Sequence, residues 1–465
     1  METASEWAQR QFGGVILGDK RRGQRAVKMA RSMASEPLGS LPQQMGSWEA
    51  QKGAYRLLDN AKVSHAALSE PHWQNTREES GRVGSVVLMI QDFTVLNYLG
   101  HPATEGLGEI SKGILGGLWV HNTLAVLPQS KRVIGLAYQQ VWSRAARQTL
   151  EKETVAHRRK RSNRQSLRWV QAVTTIGKPP ESVKWVHVAD RESDAFELFE
   201  AILNTGADFC IRLVQERRLA DWTEEQPTYL LKNVRDLPEM GQRTLDIPAS
   251  PKHAARQAHL AVSWQSITIR KPRNTPGEEK YITVWVVRTW EKHPPFDLEP
   301  IEWLLMTSVP VQSLPEALER IEWYTCRWVI EEFHRCLKTG CQIEKSQLRQ
   351  AERIQRLLAF LSILAIRLLQ LRDLSRSTPN LLAIDHVDPV LVQIIAVRSK
   401  KNPNELSLGF FWFEIAKLGG FPARKSDGNP GWLRIWRGWL HLLDLAEGVR
   451  IARNLPLIEK DVGNP

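Results

Sequence analysis

Four side chains that could act together on a phosphate group fall within one short stretch of the chain: Tyr324, Arg327, Glu331 and Lys338. At about 100° per residue, an α-helix places all four within an arc of about 60°, with apolar residues on an adjoining face. A carboxylate can hold a divalent metal ion while neighbouring cations hold a phosphate, which is the combination that phosphodiester chemistry requires. If this helix is considered alone, the four side chains could instead form an exposed face on which charged residues pair with one another.

Two aspartates elsewhere in the chain each follow a short apolar segment. Asp92 stands two residues after the segment 86–90, and Asp190 stands two residues after 183–188. The segment 86–90 is an unbroken apolar run, which is typical of a strand buried on both faces, and 183–188 is predicted to be another central strand. Carboxylates from separate elements suffice to hold a pair of divalent ions roughly 4 Å apart. We therefore expect these aspartates to converge with Glu331 on a site for two Mg²⁺ ions, with Mn²⁺ as a substitute.

Hydrophobic periodicity and turn signals predict the elements that must position these groups. Further strands are predicted over 119–140, and a mainly antiparallel β insertion is predicted over 209–310. A capping box at Ser313 should begin a long helix that reaches about Gly340. After a linker at 400–404, the remaining chain is rich in tryptophan and is predicted to be helical.

Basic residues are concentrated in two segments. The first 70 residues or so are predicted to be helical, with Asp19 as the N-cap of a helix that begins in a basic segment. Arg21, Arg25 and Lys28 share one face of that helix, which could contact a row of phosphates or could simply be solvated. The segment 141–168 carries nine Lys or Arg residues against two Glu, and it could be a solvated loop or a flap that grips phosphates.

The composition is that of a globular protein with a strong positive charge. The chain of 465 residues is 42% hydrophobic and 25% charged, and its net charge is +12. This charge favours a polyanionic partner, either nucleic acid or an anionic membrane surface. The longest apolar run, 357–366, is shorter than the roughly 18 residues that a membrane span needs, and the N-terminus lacks the apolar core of a signal peptide. The four cysteines have no zinc-ligand spacing and are expected to be free thiols in a reducing cytoplasm.

Three motifs resemble those of a known family. The Tyr, Arg, Glu and Lys of 324–338 match, in identity and spacing, the Y-R-E-K signature of the DDE transposases of the insertion-sequence-four group, and especially of the transposon-five-like transposases. The segment 190–194 is similar to the second-aspartate motif of that family. The segment 91–94 is similar to the first, with Phe93 in place of a usual Thr.

The resemblance implies an α/β architecture with a ribonuclease-H-like catalytic core over 71–375, interrupted by a β-rich insertion over about 210–310. A helical DNA-binding domain for transposon ends would precede the core at 1–70. A helical dimerisation domain would follow it at 376–465.

The resemblance also implies roles for single residues. The metal ligands would be Asp92, Asp190 and Glu331. The groups that hold the phosphate beside a flipped-out base would be Tyr324, Arg327 and Lys338. The base would stack on Trp303, with Trp328 as a second aromatic residue nearby. The remaining DNA contacts would be Arg21, Arg22, Arg25, Arg56 and Arg212.

These features together predict a bacterial cut-and-paste DNA transposase in the cytoplasm, associated with the nucleoid and without a membrane partner. A synaptic homodimer would bind double-stranded DNA at transposon ends and at the target, nick it, form and open a hairpin, and join the strands.

Two alternatives stay open. One is a DNA-binding repressor or inactive inhibitor with the same fold, against which the intact carboxylates argue. The other is a related metal nuclease that cuts but does not integrate.

Overall fold

The computed structural model describes residues 3–36, 39–145, 165–247, 254–273, 275, 277–296, 298–377, 379–424 and 427–454. Most of the basic segment 141–168 lies outside these residues, so both interpretations of that segment stay predictions.

Five helices form the first part of the chain, and capping side chains determine where they begin. Thr3 and Glu6 form a capping box at the first helix. The second helix begins after Asp19, whose carboxylate accepts a 2.9 Å hydrogen bond from the amide of Arg21, and the predicted N-cap is therefore confirmed. The helices are α1 (Ala4–Phe12), α2 (Lys20–Ser35), α3 (Leu41–Met45), α4 (Trp48–Asp59) and α5 (His65–Gly81).

Ten strands form one mixed sheet in the described part of the chain. The first two apolar segments are among them, since Val87–Ile90 and Trp185–Ala189 are buried without interruption, as the sequence predicted. The strands are β1 (Val86–Asn97), β2 (Gly108–Ser111), β3 (Ile114–Val126), β4 (Val133–Trp142), β5 (Lys184–Ala189), β6 (Asp208–Arg212), β7 (Gly241–Ile247), β8 (Arg256–Arg270), β9 (Tyr281–Glu291) and β10 (Glu302–Thr307).

The strand order brings the two aspartate-bearing strands together. Nine strands follow one another as β2-β3-β1-β5-β6-β10-β9-β8-β7, and β4 also pairs with β3. Strand β1 is parallel to β5, and β5 is parallel to β6, whereas the other paired strands are antiparallel. Helix α6 (Gln165–Ile176) precedes β5, and α7 (Phe196–Asn204) connects β5 to β6. The carboxyl ends of β1 and β5 therefore lie at the same edge of the sheet.

The region after β6 continues the core sheet. Strands β7 to β10 pair antiparallel with one another, which confirms the predicted antiparallel pattern, and α8 (Leu230–Arg235) precedes them. The start of the predicted range is wrong, however, because 209–212 belongs to β6, which pairs in parallel with β5. Strand β10 then pairs with both β6 and β9, so hydrogen bonds join the insertion to the core.

The predicted single helix from Ser313 to Gly340 is interrupted. The capping box between Ser313 and Glu316 is present, but α9 (Leu314–Thr325) and α10 (Trp328–Arg335) are separate, and a π-helical turn covers Cys336–Gly340. Between the two helices, the amides of Arg327, Val329 and Ile330 bond the carbonyls three residues earlier. The hydroxyl of Thr325 and the thiol of Cys326 both donate to the carbonyl of Glu322, which also accepts from the amide of Cys326.

Long helices complete the fold. Helix α11 (Ala351–Ser377) follows α10 and the π-helical turn, and then come α12 (Pro389–Ser399), α13 (Leu408–Leu418) and α14 (Trp432–Asn454). Trp412 and Trp439 stack at 5.1 Å between α13 and α14, so the tryptophan-rich region is helical as predicted.

One described helix, α11, is long and apolar enough over Ala351–Leu374 to cross a membrane, as judged from length and composition alone. The sequence expectation considered only the shorter run 357–366. Because 78% of the most apolar window is buried inside the protein, where α11 packs against α5 and β4, this helix is weak evidence for a membrane span.

All four cysteines are free and buried, as predicted.

Candidate active site

Asp92 and Asp190 lie side by side on neighbouring parallel strands. The pairing of β1 with β5 places Ile90 opposite Val188, and each aspartate stands two residues further along its own strand direction. Since side chains two residues apart point to the same face and neighbouring strands lie about 4.8 Å apart, both carboxylates project from one face at adjacent positions. Asp190 accepts a 2.9 Å hydrogen bond from the amide of Glu192 and caps a short 3₁₀ turn.

Arg327 joins two of the three predicted carboxylates. One guanidinium nitrogen lies 3.2 Å from Oδ2 of Asp92, and the other lies 2.6 Å from Oε1 of Glu331. Glu331 follows Arg327 by four residues across the start of α10, so helical spacing brings the pair together. The structure thus gathers Asp92, Asp190, Arg327 and Glu331 from β1, β5 and the α9–α10 region.

Burial and like charge dominate the electrostatics of this cluster. Burial, followed by the charge of Asp190, raises the pKa of Asp92 to about 7, although the amide of Phe93 and the guanidinium of Arg327 act in the opposite direction. Burial and the charge of Asp190 also raise the pKa of Glu192. Crowded carboxylates with raised pKa values are typical of functional sites.

The carboxylates do not form a ready-made metal cage. Within the described ranges, no group of three or more His, Cys, Asp or Glu side chains is arranged closely enough to hold a metal ion. Instead, the carboxylates of Asp92 and Glu331 both accept hydrogen bonds from the planar fork of Arg327. A metal ion that bridges these two acids would have to displace the guanidinium.

Tyr324 and Lys338 flank the cluster from either side. Tyr324 is buried and packs edge-on against Trp303, with ring centroids 5.3 Å apart, and burial raises the pKa of its phenol. Lys338 lies in the π-helical turn, where its ammonium donates to the carbonyl of Val95 on β1 at 2.7 Å and lies 3.8 Å from Glu344. Burial lowers the pKa of Lys338. The predicted stripe thus faces the end of β1, despite the break between the helices.

The two predicted aromatic contacts differ in exposure. Trp303 on β10 is half-buried against Tyr324, whereas Trp328, at the start of α10, is 59% exposed. Arg212, at the end of β6, donates to the carbonyl of Glu302 at 3.2 Å, next to Trp303. Trp303 and Arg212 thus lie where the insertion joins the core sheet.

The remaining predicted DNA contacts lie in the N-terminal helices. Arg21 is exposed and paired with Asp19, and Arg22 donates to the carbonyl of Leu17 at 2.7 Å. Arg25 packs so closely against Gly53 of α4 that a Cβ there would lie 2.5 Å from its guanidinium. Together with Lys28 and Arg31, Arg25 lines a groove between α2, α3 and α4, while Arg56 lies near the end of α4.

Two family models match the chain. A model described as transposase DNA-binding covers residues 4–63, and a model described as transposase DDE domain covers residues 179–368. Together they span more than half of the chain. The chain contains a transposase DNA-binding domain and a DDE transposase domain. The DNA-binding match contains α1 to α4 with their cationic groove, so DNA is a partner of this transposase.

The DDE domain of this transposase implies a ribonuclease-H-like core, and the mixed sheet with flanking helices is of the corresponding α/β class. Its matched residues include Asp190 and Glu331 but begin after Asp92. The expectation that Asp92 belongs to the same site therefore rests on its position beside Asp190 and on the 91–94 motif.

Sequence reasoning missed a set of buried polar residues beneath the carboxylates of the transposase. Asn122 on β3 stands directly opposite Asp92, and Gln139 on β4 stands opposite Asn122. Asn122 bonds the imidazole of His334 on α10 at 3.0 Å. The sequence did contain a signal for these residues, because uncharged polar side chains stand inside strands that are otherwise apolar. Their hydrogen-bond partners, however, depend on the strand register, which was not predicted.

The raised pKa of Asp92 predicts how the stability of the metal-free protein depends on pH. Because the folded pKa of about 7 lies above the ordinary value of 3.8, the folded protein holds a proton that the unfolded chain releases between these values. The free energy of unfolding should therefore fall as pH rises from about 4 to 7. Asparagine carries no charge, so replacing Asp92 by Asn should remove this loss of folding stability. We expect the free energy of unfolding of D92N to exceed that of wild type by on the order of 2 kcal/mol at pH 8, and by less at pH 5.

Urea unfolding in EDTA at the two pH values measures this difference. A matched control is E225Q, which removes one exposed carboxylate outside the cluster. A gain for D92N that is equal at pH 5 and pH 8 would contradict the assignment of the raised pKa to Asp92.

Proposed function

We propose that this transposase cuts and joins phosphodiester bonds with two Mg²⁺ ions held by Asp92, Asp190 and Glu331, with Mn²⁺ as a substitute. DDE transposase domains generally use divalent metal ions. The observation that carries the proposal is the convergence of the three acids, in which Arg327 bonds Asp92 and Glu331 while the charge of Asp190 raises the pKa of Asp92.

The donor set fits divalent ions. Carboxylate oxygens are the protein ligands that Mg²⁺ prefers, and few of them are needed. A cation of higher charge than a guanidinium would relieve the repulsion between Asp92 and Asp190 more fully than Arg327 does. When bound, the two ions would supply activation of a water or a 3′-hydroxyl and stabilisation of the leaving oxygen.

The chain's own residues would bind and orient the DNA. Once released from the carboxylates, the fork of Arg327 suits a phosphate, to which it can donate two parallel hydrogen bonds. Lys338 and Tyr324, on either side, would add a charge and a hydroxyl donor. The groove of α2 to α4, together with Arg21, Arg22 and Arg56, would hold the transposon end, and Arg212 would support the DNA near the insertion.

The finer reaction course is also proposed. The 324–338 signature supports membership in the insertion-sequence-four group and a transposon-five-like, cut-and-paste course with a hairpin intermediate. Strand transfer would require two ends, and the helices α12 to α14 would supply the dimer contact of the synaptic complex. The residues 1–70, 71–375 and 376–465 would form the three corresponding domains.

A supercoiled plasmid carrying the inverted repeats that flank the gene tests the function. With Mg²⁺, we expect nicked, hairpin and strand-transfer products, and with EDTA we expect binding alone. Binding without cleavage in Mg²⁺ would favour an inactive inhibitor or repressor, and cleavage without strand transfer would favour a nuclease.

Trp303 gives a test of the hairpin step. Stacking on an aromatic side chain stabilises an extruded base by about 1–3 kcal/mol. We expect Trp303→Ala to slow hairpin formation by about 10- to 100-fold while the first nick changes little, because only the hairpin step needs the extruded base.

Rates of the two steps can be followed on one end-labelled duplex. The control is Trp290→Ala, which removes a tryptophan from the opposite face of the insertion sheet, on the neighbouring strand. Equal slowing of both steps by Trp303→Ala would argue against a stacking role.

A further inference from the structure

A chain of side-chain hydrogen bonds runs beneath the proposed metal ligands. It starts at His65 in α5, passes through Gln139 on β4 and Asn122 on β3, and ends at His334 in α10. We refer to these four residues as the buried relay. Asn122 and Gln139 are almost completely buried, and Ser362 on α11 adds a side branch by accepting from Gln139 at 2.9 Å.

Each residue of the buried relay donates a hydrogen bond to the next, from His65 toward His334. The carbonyl oxygen of Gln139 can only accept, so Nε2 of His65 donates to it at 2.8 Å. The amide nitrogen of Gln139 donates to Asn122 at 2.6 Å, and the amide nitrogen of Asn122 donates to Nε2 of His334 at 3.0 Å. Burial lowers the pKa of His65 to about 4 and that of His334 to about 3, so both rings are neutral at neutral pH and each has one fixed tautomer.

The buried relay touches the elements of two proposed metal ligands. Asn122 stands opposite Asp92 in the pairing of β3 with β1, so the two side chains lie on the same face about 5 Å apart. His334 lies three residues after Glu331, which puts it on a neighbouring part of the same helix. Asn122, on the strand that pairs with the Asp92 strand, therefore bonds the helix that carries Glu331.

Helix α10 needs such a tie. It has only eight residues, it follows a tightened turn with bonds to carbonyls three residues earlier, and a π-helical turn follows it. A short helix between two irregular turns is not fixed in rotation by its own ladder. Apolar packing through Ile330 and Phe333 holds it against the core, but such contacts are non-directional. Hydrogen bonds have a narrow geometry, and two of them fix α10: the ion pair of Glu332 with Arg372 of α11, and the bond from Asn122 to His334.

We infer that Asn122 and Gln139 are positioning residues, which hold α10 through His334 so that Glu331 faces Asp92 and Asp190. This inference rests on the proposed metal-dependent function. Neither residue touches the reacting phosphate. Changes to groups that orient metal ligands typically cost 10- to 100-fold in metal affinity or activity, and an effect of this size is expected here.

Asn122→Leu is the direct test, because leucine has a similar size but cannot donate to His334. With DNA saturating and at a temperature well below the unfolding transition, we expect nicking in a single turnover to fall by about 10- to 100-fold. We expect Mn²⁺ affinity of the DNA-free protein, measured by electron paramagnetic resonance, to fall by about tenfold, while transposon-end affinity stays unchanged. The control is Ser362→Ala, which removes the side branch of the relay and leaves the link to α10; it should nick and bind Mn²⁺ like wild type.

The double variant Asn122→Leu/His334→Phe distinguishes a loss of positioning from a loss of thermal stability. Replacing both partners by apolar groups removes the unsatisfied buried acceptor, so thermal stability should recover. If the relay positions α10, nicking and Mn²⁺ affinity should stay low. The inference would be overturned if nicking and Mn²⁺ affinity recovered together with stability in the double variant. It would also be overturned if Asn122→Leu alone nicked and bound Mn²⁺ like wild type. Wild-type protein that does not nick in Mg²⁺ at all would instead contradict the proposed function.

Discussion

Glu331→Gln is expected to abolish metal-dependent nicking and to leave binding to transposon ends intact. The substitution keeps the shape of the side chain but removes the charge that a divalent ion requires, and loss of a group that stabilises charge at the reacting centre typically costs 10²- to 10³-fold or more. The DNA-binding match at 4–63 lies far from Glu331 in sequence, so end binding should be independent of it.

The comparison is made on one plasmid substrate, with binding measured by gel shift in EDTA and nicking measured in Mg²⁺. Glu322→Gln is the matched control, because Glu322 is a half-exposed carboxylate of α9 that pairs with Arg243 outside the cluster. Normal nicking by Glu331→Gln would show that this acid does not hold the metal.

Arg327→Ala is expected to change catalysis and metal binding in opposite directions. In the free protein, the guanidinium lies between Asp92 and Glu331 and competes with any cation for these oxygens. Its removal should raise Mn²⁺ affinity by about tenfold, equivalent to about 1.4 kcal/mol. Nicking should nevertheless fall by about 10²- to 10³-fold, since the phosphate loses a bidentate partner.

Calorimetric titration with Mn²⁺ and single-turnover nicking measure the two effects. Arg327→Lys is an informative companion, because it keeps the charge but loses the planar fork, so it should bind Mn²⁺ like wild type and still nick slowly. Weaker Mn²⁺ binding by Arg327→Ala would mean that the guanidinium supports the carboxylates instead of competing for them.

The parts of the site that follow local rules could be predicted from sequence. The sequence predicted the buried strands before Asp92 and Asp190, although β1 continues past Asp92 to Asn97. Their parallel pairing, which places the two aspartates side by side, came from the structure. The contact between Arg327 and Glu331 also follows from their spacing, because residues four apart lie next to each other on a helix. Which role each of these residues has in the reaction stays a prediction.

The parts that depend on long-range pairing could not be predicted. After Thr325 the amides of Arg327, Val329 and Ile330 bond carbonyls three residues earlier, and hydrophobic periodicity does not predict such a local change of hydrogen bonding. The placement of Asn122 opposite Asp92 depends on the register of two strands, which hydrophobic alternation sets only to within two residues. The sequence also did not indicate that β6 belongs to the parallel part of the sheet.

The unbroken hydrogen bonding from β5 through β6 to β10 has a consequence for the geometry of cleavage. Two strand spacings separate the strand that ends at Asp190 from the strand that carries Trp303, a lateral distance of roughly 10 Å that the backbone itself sets. If a nucleotide stacks on the indole of Trp303 as proposed, the sheet would hold it at a constant distance from the acids. Loops elsewhere in the insertion could then vary in length without changing that distance.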